Sequence, residues 1–135
     1  MDTEEIIAKG RRCIDIEAEA LAKTSAQLDS AFAQVAATVI DSLNDGQKLI
    51  FSGIGKSAHI PRKLVGTFNS IGAPSTLRDP VNALHGDMGL CRKGDALLAF
   101  SNSGETEELL RLVPILKRFD VRTVAVTSMP DASLS

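Results

Sequence analysis

The chain has 135 residues, which suits one domain and not two. It is 44% hydrophobic and 24% charged, with a formal net charge of −2, so it has the means to build a core and does not read as disordered. There is no basic excess, and with five Phe, no Tyr and no Trp there is almost no stacking surface, which excludes nucleic acid as the expected partner. An anionic small molecule remains open, because a local dipole can hold one without net positive charge. The two cysteines, Cys13 and Cys91, form no CxxC pair and read as reduced thiols of a cytosolic protein. The acidic start, Asp2 to Glu5, lacks a signal-peptide pattern, and no apolar run reaches the length of a membrane span. A soluble, cytoplasmic protein without a membrane partner is expected.

The first 45 or so residues read as helix. Ile7, Ile14, Ala18 and Leu21 recur at helical spacing, and Leu28, Phe32, Val35, Val39 and Leu43 form a second stripe. Asn44-Asp45-Gly46 stops the helix, with Gly46 suited to the left-handed position after its last turn. From residue 46 the pattern changes. Lys48–Ser52 is a short apolar run bounded by glycine, as a buried strand would be. The turn Gly53-Ile54-Gly55-Lys56-Ser57 follows, then a helical stripe of Ile60, Leu64, Phe68 and Ile71 with Pro61 in its first turn. Gly72-Ala73-Pro74 ends that helix, and Ser75–Leu77 reads as a second strand.

Asp79 and Pro80 are placed as the cap and first residue of a short helix that ends at the loop His85-Gly86-Asp87. Asp95–Phe100 is the third strand. The loop Ser101–Gly104 leads into a helix with Leu109, Leu112, Val113 and Leu116 inward and a kink expected at Pro114. Arg122–Thr127 is the fourth strand, and Met129–Ser135 reads as the start of another helix. Strand, loop, helix, strand repeats, so the expected fold is α/β: a three-layer parallel sheet with helices on both faces, behind N-terminal helices. A four-stranded sheet of this kind is small, so a C-terminal portion of the domain is expected beyond residue 135. Residues 1–45 are the N-terminal helices and 46–135 the α/β core.

In such sheets ligands bind beyond the carboxyl ends of the strands, where both unusual loops fall. In Ser101-Asn102-Ser103-Gly104-Glu105-Thr106, three hydroxyls and an amide crowd between a strand and a helix. Free backbone N–H groups and the positive end of the helix dipole favour an anion there, and Gly104 allows close approach. The bland alternative is helix capping by Ser103 with Thr106 nearby, which needs one such residue rather than three. Gly53–Ser57 resembles the end of a nucleotide P-loop, but Ile50 stands where the motif needs glycine. A dinucleotide fingerprint fails as well, at Ala58. What remains is a tight turn presenting Lys56 at the sheet edge, with Ser57 as a helix cap. The alternative is an ordinary surface lysine. His85 is a base, a metal ligand or a satisfied loop residue. His59 reads as a partly exposed polar residue. Glu105, Glu107 and Glu108 compensate the dipole of the helix they open, which leaves room for one of them to point into a site.

Four stretches together resemble the SIS (sugar isomerase) family, and within it the D-arabinose-5-phosphate isomerases: Gly53–Ile60, Thr67–Pro74, His85–Gly89 and Ser101–Thr106. The serine–glycine–threonine loop marks SIS domains generally, whereas Gly-x-Gly-Lys-Ser with a downstream His-Gly-Asp is more specific to that branch. The resemblance implies a flavodoxin-like sheet and isomerisation of D-ribulose 5-phosphate to D-arabinose 5-phosphate through an enediol. That step feeds the synthesis of 3-deoxy-D-manno-octulosonate for lipopolysaccharide or capsule. By motif, Ser101, Ser103 and Thr106 hold the phosphate, with Asn102 and Gly104 in the same loop and Gly55 and Ser57 near the sugar. Lys56, His85 and Glu108 match positions regarded as catalytic. The chemistry needs a base, and a group that stabilises the enediolate, but no cofactor and no metal. The expected partners are a sugar-phosphate substrate and further copies of the chain in a homo-oligomer. Ala58 and Pro61 stand where relatives often have glycine. The family's further catalytic histidine, after the fourth strand, falls outside these residues, as do the CBS domains that many relatives carry. Non-catalytic sugar-phosphate sensing and another phosphosugar isomerisation are the alternative readings.

Overall fold

The computed structural model describes residues 2–135, Asp87 by its backbone alone. The chain divides into two units, the first ending at Gln34 and the second running from Val35 to Ser135. In the first unit, α1 spans Thr3–Ala26. Asp2 accepts the Glu5 N–H at 2.8 Å, and the Glu5 carboxylate accepts the Asp2 N–H at 3.2 Å. This reciprocal cap is worth about 1 kcal/mol. The helical reading of the first 45 residues is interrupted at Gln27–Asp29, at the first residue of the second apolar stripe, so that Leu28 belongs to neither helix. Asp29 accepts the Ala31 N–H at 2.9 Å and so opens α2, Ser30–Asn44.

The second unit holds a parallel sheet of four strands in the order β2-β1-β3-β4: β1 Leu49–Gly53, β2 Ser75–Arg78, β3 Ala96–Phe100 and β4 Arg122–Val126. Between them run α3 His59–Ser70, α4 Pro80–Leu84 and α5 Glu107–Arg118, the last with Pro114 inside it. Alternate residues of the strands feed two cores. Ile50, Leu97 and Ala99 pack with Leu109, Leu112 and Leu116 of α5 and Ala83 of α4. Leu49, Phe51, Ala96 and Leu98 pack with Leu64 and Phe68 of α3 and with Val39 and Leu43 of α2. This is the three-layer arrangement expected, and it explains why β1 is a continuous apolar run: every residue of it is buried. Truncating any one of the α5 leucines to alanine costs about 2–5 kcal/mol.

Two local features set the frame for the site. Asp79 caps α4 as expected, accepting the Val81 and Asn82 N–H groups at 2.8 and 3.2 Å, with Pro80 first in the helix. Asp95, which the sequence marks only as the start of a strand, is fully buried. It accepts the Lys48 N–H, the Lys48 ammonium and the Arg92 N–H at 3.1, 2.5 and 2.7 Å, and so ties together the entries to β1 and β3. No helix among the described residues is long and apolar enough to cross a membrane.

Candidate functional site

Strand β3 delivers the chain at residue 101 into a loop that folds on itself. Ser101 is 2% exposed. Its hydroxyl accepts the Gly104 N–H at 3.0 Å and meets the Thr106 hydroxyl at 2.6 Å. The Ser103 hydroxyl accepts the Glu105 N–H at 3.2 Å. Thr106 is the N-cap of α5 and makes no side-chain cap bond. The hydroxyls therefore do not cap the helix, and its first-turn N–H groups and positive dipole end are left for something else. Two of the three hydroxyls, Ser101 and Thr106, brace the loop against each other. Asn102 and Ser103 are exposed.

A second segment closes the loop from behind. The Asn102 carbonyl accepts the Ser128 hydroxyl at 2.6 Å, the Ser128 N–H at 3.2 Å and the Thr127 hydroxyl at 3.2 Å. The Gly104 carbonyl accepts the Leu134 N–H at 3.1 Å, and the Glu105 carboxylate accepts the Ser133 N–H at 2.7 Å. Those bonds from the Ser133 backbone and side chain pull the Glu105 carboxyl below its ordinary value, against a slight opposing desolvation. Residues 129–135, read from sequence as the start of a helix, are turns instead. The Ser133 and Leu134 N–H groups are spent on the 101–106 loop, and those of Ala132 and Ser135 on turn bonds to Met129 and Ala132, not on a helical ladder. Gly104 has φ +68°, and a Cβ there would collide with Ala132 and come within 3.0 Å of the Thr127 hydroxyl. Sequence reasoning missed Thr127, Ser128 and Ser133 as site residues, although hydroxyls directly after the last strand were the available signal.

Between the carboxyl ends of β3 and β4 and the start of α3 lies a cavity of about 220 Å³. It gathers Ser57, Ser101 and Asn102 with Thr127, Ser128 and the apolar Phe100. Ser57 is not a helix cap: it sits in a 3₁₀ turn, Gly55–Ala58, and Ala58 precedes α3 without a side-chain cap bond. The turn spends the Ser57 N–H on the Ile54 carbonyl at 3.1 Å. A larger cavity of about 580 Å³ between α4 and α5 brings together His85 and Glu108, with Arg111 beside them. The three glutamates thus separate: Glu105 holds Ser133, Glu107 lies 3.9 Å from Arg111, and Glu108 is half-buried in the cavity. Lys56 is exposed and lines neither cavity, and His59 is exposed. Gly55, Ser103, Gly104 and Thr106 shape the loops without lining either space. Among the described residues no group of three or more His, Cys, Asp or Glu side chains is placed to hold a metal ion.

Chemically, this is a hydroxyl-rich loop braced at a helix N-terminus, with an imidazole and a carboxylate sharing a space off the same helix. A family model, the SIS domain, matches residues 42–135. Among curated proteins, the chain is 37% identical over 120 residues to the arabinose 5-phosphate isomerase KdsD of Francisella tularensis, covering 89% of this chain and 37% of that protein. It is 39% identical over 130 residues to the arabinose 5-phosphate isomerase KpsF of Escherichia coli, covering 96% of this chain and 39% of that protein. The chain therefore spans about two fifths of the length of these relatives. Among solved structures, that of an Escherichia coli CFT073 protein in complex with arabinose 5-phosphate aligns with TM-score 0.88 at 33% identity, over 99% of this chain and 70% of that one.

Proposed function

Because the chain belongs to the SIS domain family, we propose that it binds a phosphorylated pentose and interconverts D-ribulose 5-phosphate and D-arabinose 5-phosphate through an enediol. One observation carries this reading: Glu108 lies in the first turn of the helix that opens at the hydroxyl loop, and it shares a cavity with His85. A phosphate held at residues 101–106 is then within a helical turn of a carboxylate. The likeness to arabinose 5-phosphate isomerases, and to a protein solved with arabinose 5-phosphate, supports the choice of sugar.

In this reading Ser103, Asn102 and the N–H groups at the start of α5 receive the phosphate, while Ser101, Gly104 and Thr106 hold the loop in shape. Gly55 and Ser57 border the sugar. Glu108 or His85 removes the C1 proton of the ketose and returns it at C2, as the hydroxyl proton moves from O1 to O2. Lys56 stabilises the enediolate oxygen. The transfer is redox-neutral within the substrate and draws on no cofactor. A homo-oligomer, a cytoplasmic location and supply of a precursor for lipopolysaccharide or capsule accompany this proposal.

The exposed position of Lys56, outside both cavities, favours a second reading in which the domain senses a sugar phosphate without turning it over. Ketose–aldose interconversion by the full-length protein separates the two. Turnover should fall about 100-fold or more in Lys56→Ala, His85→Ala or Glu108→Gln. Ser103→Ala should weaken binding of arabinose 5-phosphate. Tight binding with no turnover in the unaltered protein would sink the isomerase and leave the sensor.

A further inference from the structure

A third cavity, of about 490 Å³, lies apart from the candidate site and shares no lining residue with either of its cavities. It borders the edge strand β2 and the 3₁₀ turn Asp87–Leu90. Its charged lining is Lys48, Arg78, Arg92 and Asp95. Among the described side chains Asp95 is the one carboxylate there, and it is already spent on Lys48 and on the Arg92 N–H. Arg78 and Arg92 are left over: neither guanidinium has an ion pair or hydrogen bond among the described residues. Two positive charges that no described side chain pairs therefore face one space in a chain whose net charge is −2.

The second observation concerns a buried donor. The Arg78 Nε–H is out of contact with solvent and has no acceptor. The residue paired with Arg78 across the parallel ladder is Ser52, whose buried hydroxyl also lacks a partner. Buried polar groups are nearly always satisfied; of these two orphans Ser52 does not line the cavity, whereas Arg78 does, so it is Arg78 that brings unspent donors to it. A guanidinium presents its donors as a fork that matches the oxygens of a tetrahedral oxyanion. A carboxylate would neutralise only one of the two arginines, whereas a phosphate dianion matches both. Thr76 and the turn at Gly89 complete the lining.

We propose that this cavity is a second anion site, for a phosphate dianion held by Arg78 and Arg92, either free or as the ester group of a small molecule.

The test is a titration of the ¹⁵N-labelled full chain with inorganic phosphate at constant ionic strength, followed by amide chemical shifts. The Thr76 and Gly89 amides should shift saturably. Arg78→Met and Arg92→Met should each weaken that response about 10-fold or more, while the response of Gly104, in the other anion seat, persists. Repeating the titration with arabinose 5-phosphate identifies the source: equal affinity points to free phosphate, and tighter binding to an ester. No saturable shift at Thr76 and Gly89 with either probe would overturn the site, as would a shift that both arginine variants leave unchanged. Should Arg78→Met fail to fold, Arg92→Met, on an exposed side chain, decides alone.

Discussion

The loop after β3 and the turn after β1 leave the sheet side by side, since Gly53 and Phe100 are register partners, yet they are built differently. The turn at Gly53–Ala58 is closed by its own short-range bonds, such as Ser57 N–H to the Ile54 carbonyl. The loop at Ser101–Thr106 is also held from more than 20 residues away, by Thr127, Ser128, Ser133 and Leu134. An anion seat works best when its donors are fixed before the ligand arrives, because no free energy is then spent on ordering them. A lysine needs no such frame to act as a mobile charge. The contrast separates a loop fixed in advance, as the proposed phosphate seat requires, from a short turn that carries an exposed cation.

A methyl group placed on one glycine of each loop should expose this difference most clearly. Gly104 and Gly55 share a left-handed backbone, φ +68° and +56°, which costs an alanine about 1–2 kcal/mol. At Gly55 there is nothing within 4 Å of the new Cβ, so Gly55→Ala should lose only that strain. At Gly104 the methyl meets Ala132, and displacing the closing segment adds about 1–3 kcal/mol. Denaturant unfolding of both variants, with phosphate binding measured alongside, should show Gly104→Ala destabilised by about 2–5 kcal/mol in all, with its binding impaired more than that of Gly55→Ala. Equal losses would mean that the two loops are braced alike.

Why the sequence showed one half of this arrangement and hid the other follows from the kind of contact involved. The central strands β1 and β3 are short apolar runs bounded by glycine or polar residues, and the cap at Asp79 with Pro80 is a matter of neighbouring residues. Both are local, and local chemistry is written in order along the chain. The hydroxyl loop was visible for the same reason. The brace was not, because it joins residues 102–105 to 127–134. Nothing in Met129–Ser135 says that the Ser133 and Leu134 N–H groups will turn to a loop rather than form a helix. Asp95 was hidden in the same way, its bond to Lys48 crossing 47 residues. Ser57 misled through its position: a serine before a helical stripe reads as a cap, but a 3₁₀ turn moved the helix start one residue on, from Ala58 to His59.

A smaller effect isolates one strand of the brace. The Ser128 hydroxyl donates to the Asn102 carbonyl at 2.6 Å, and Ser128→Ala removes that bond while the backbone bond from the Ser128 N–H remains. The loss should be about 1 kcal/mol, seen in unfolding and as faster amide exchange at Leu134. Exchange at Ser57, in the turn after β1, should stay as it was. Faster exchange in both loops would show that they open together.

The smallest effect is a matter of pH. The Glu105 carboxyl is held below its ordinary value of 4.5, first by the Ser133 backbone bond and then by its side chain. A carboxyl lowered in the folded state contributes its full share above the ordinary value and loses it as pH falls through the lowered one. The contact should therefore be intact at neutral pH and released only in acid. Followed by its amide chemical shift, Ser133 should titrate with a midpoint below 4.5 in the unaltered chain and stay flat in Glu105→Gln. The Gly55 amide should be flat in both, since no bond joins its turn to Glu105. A Ser133 midpoint at or above 4.5 would mean that the bond does not favour the charged carboxylate, and the closing segment would then rest on its bonds to the Asn102 and Gly104 carbonyls.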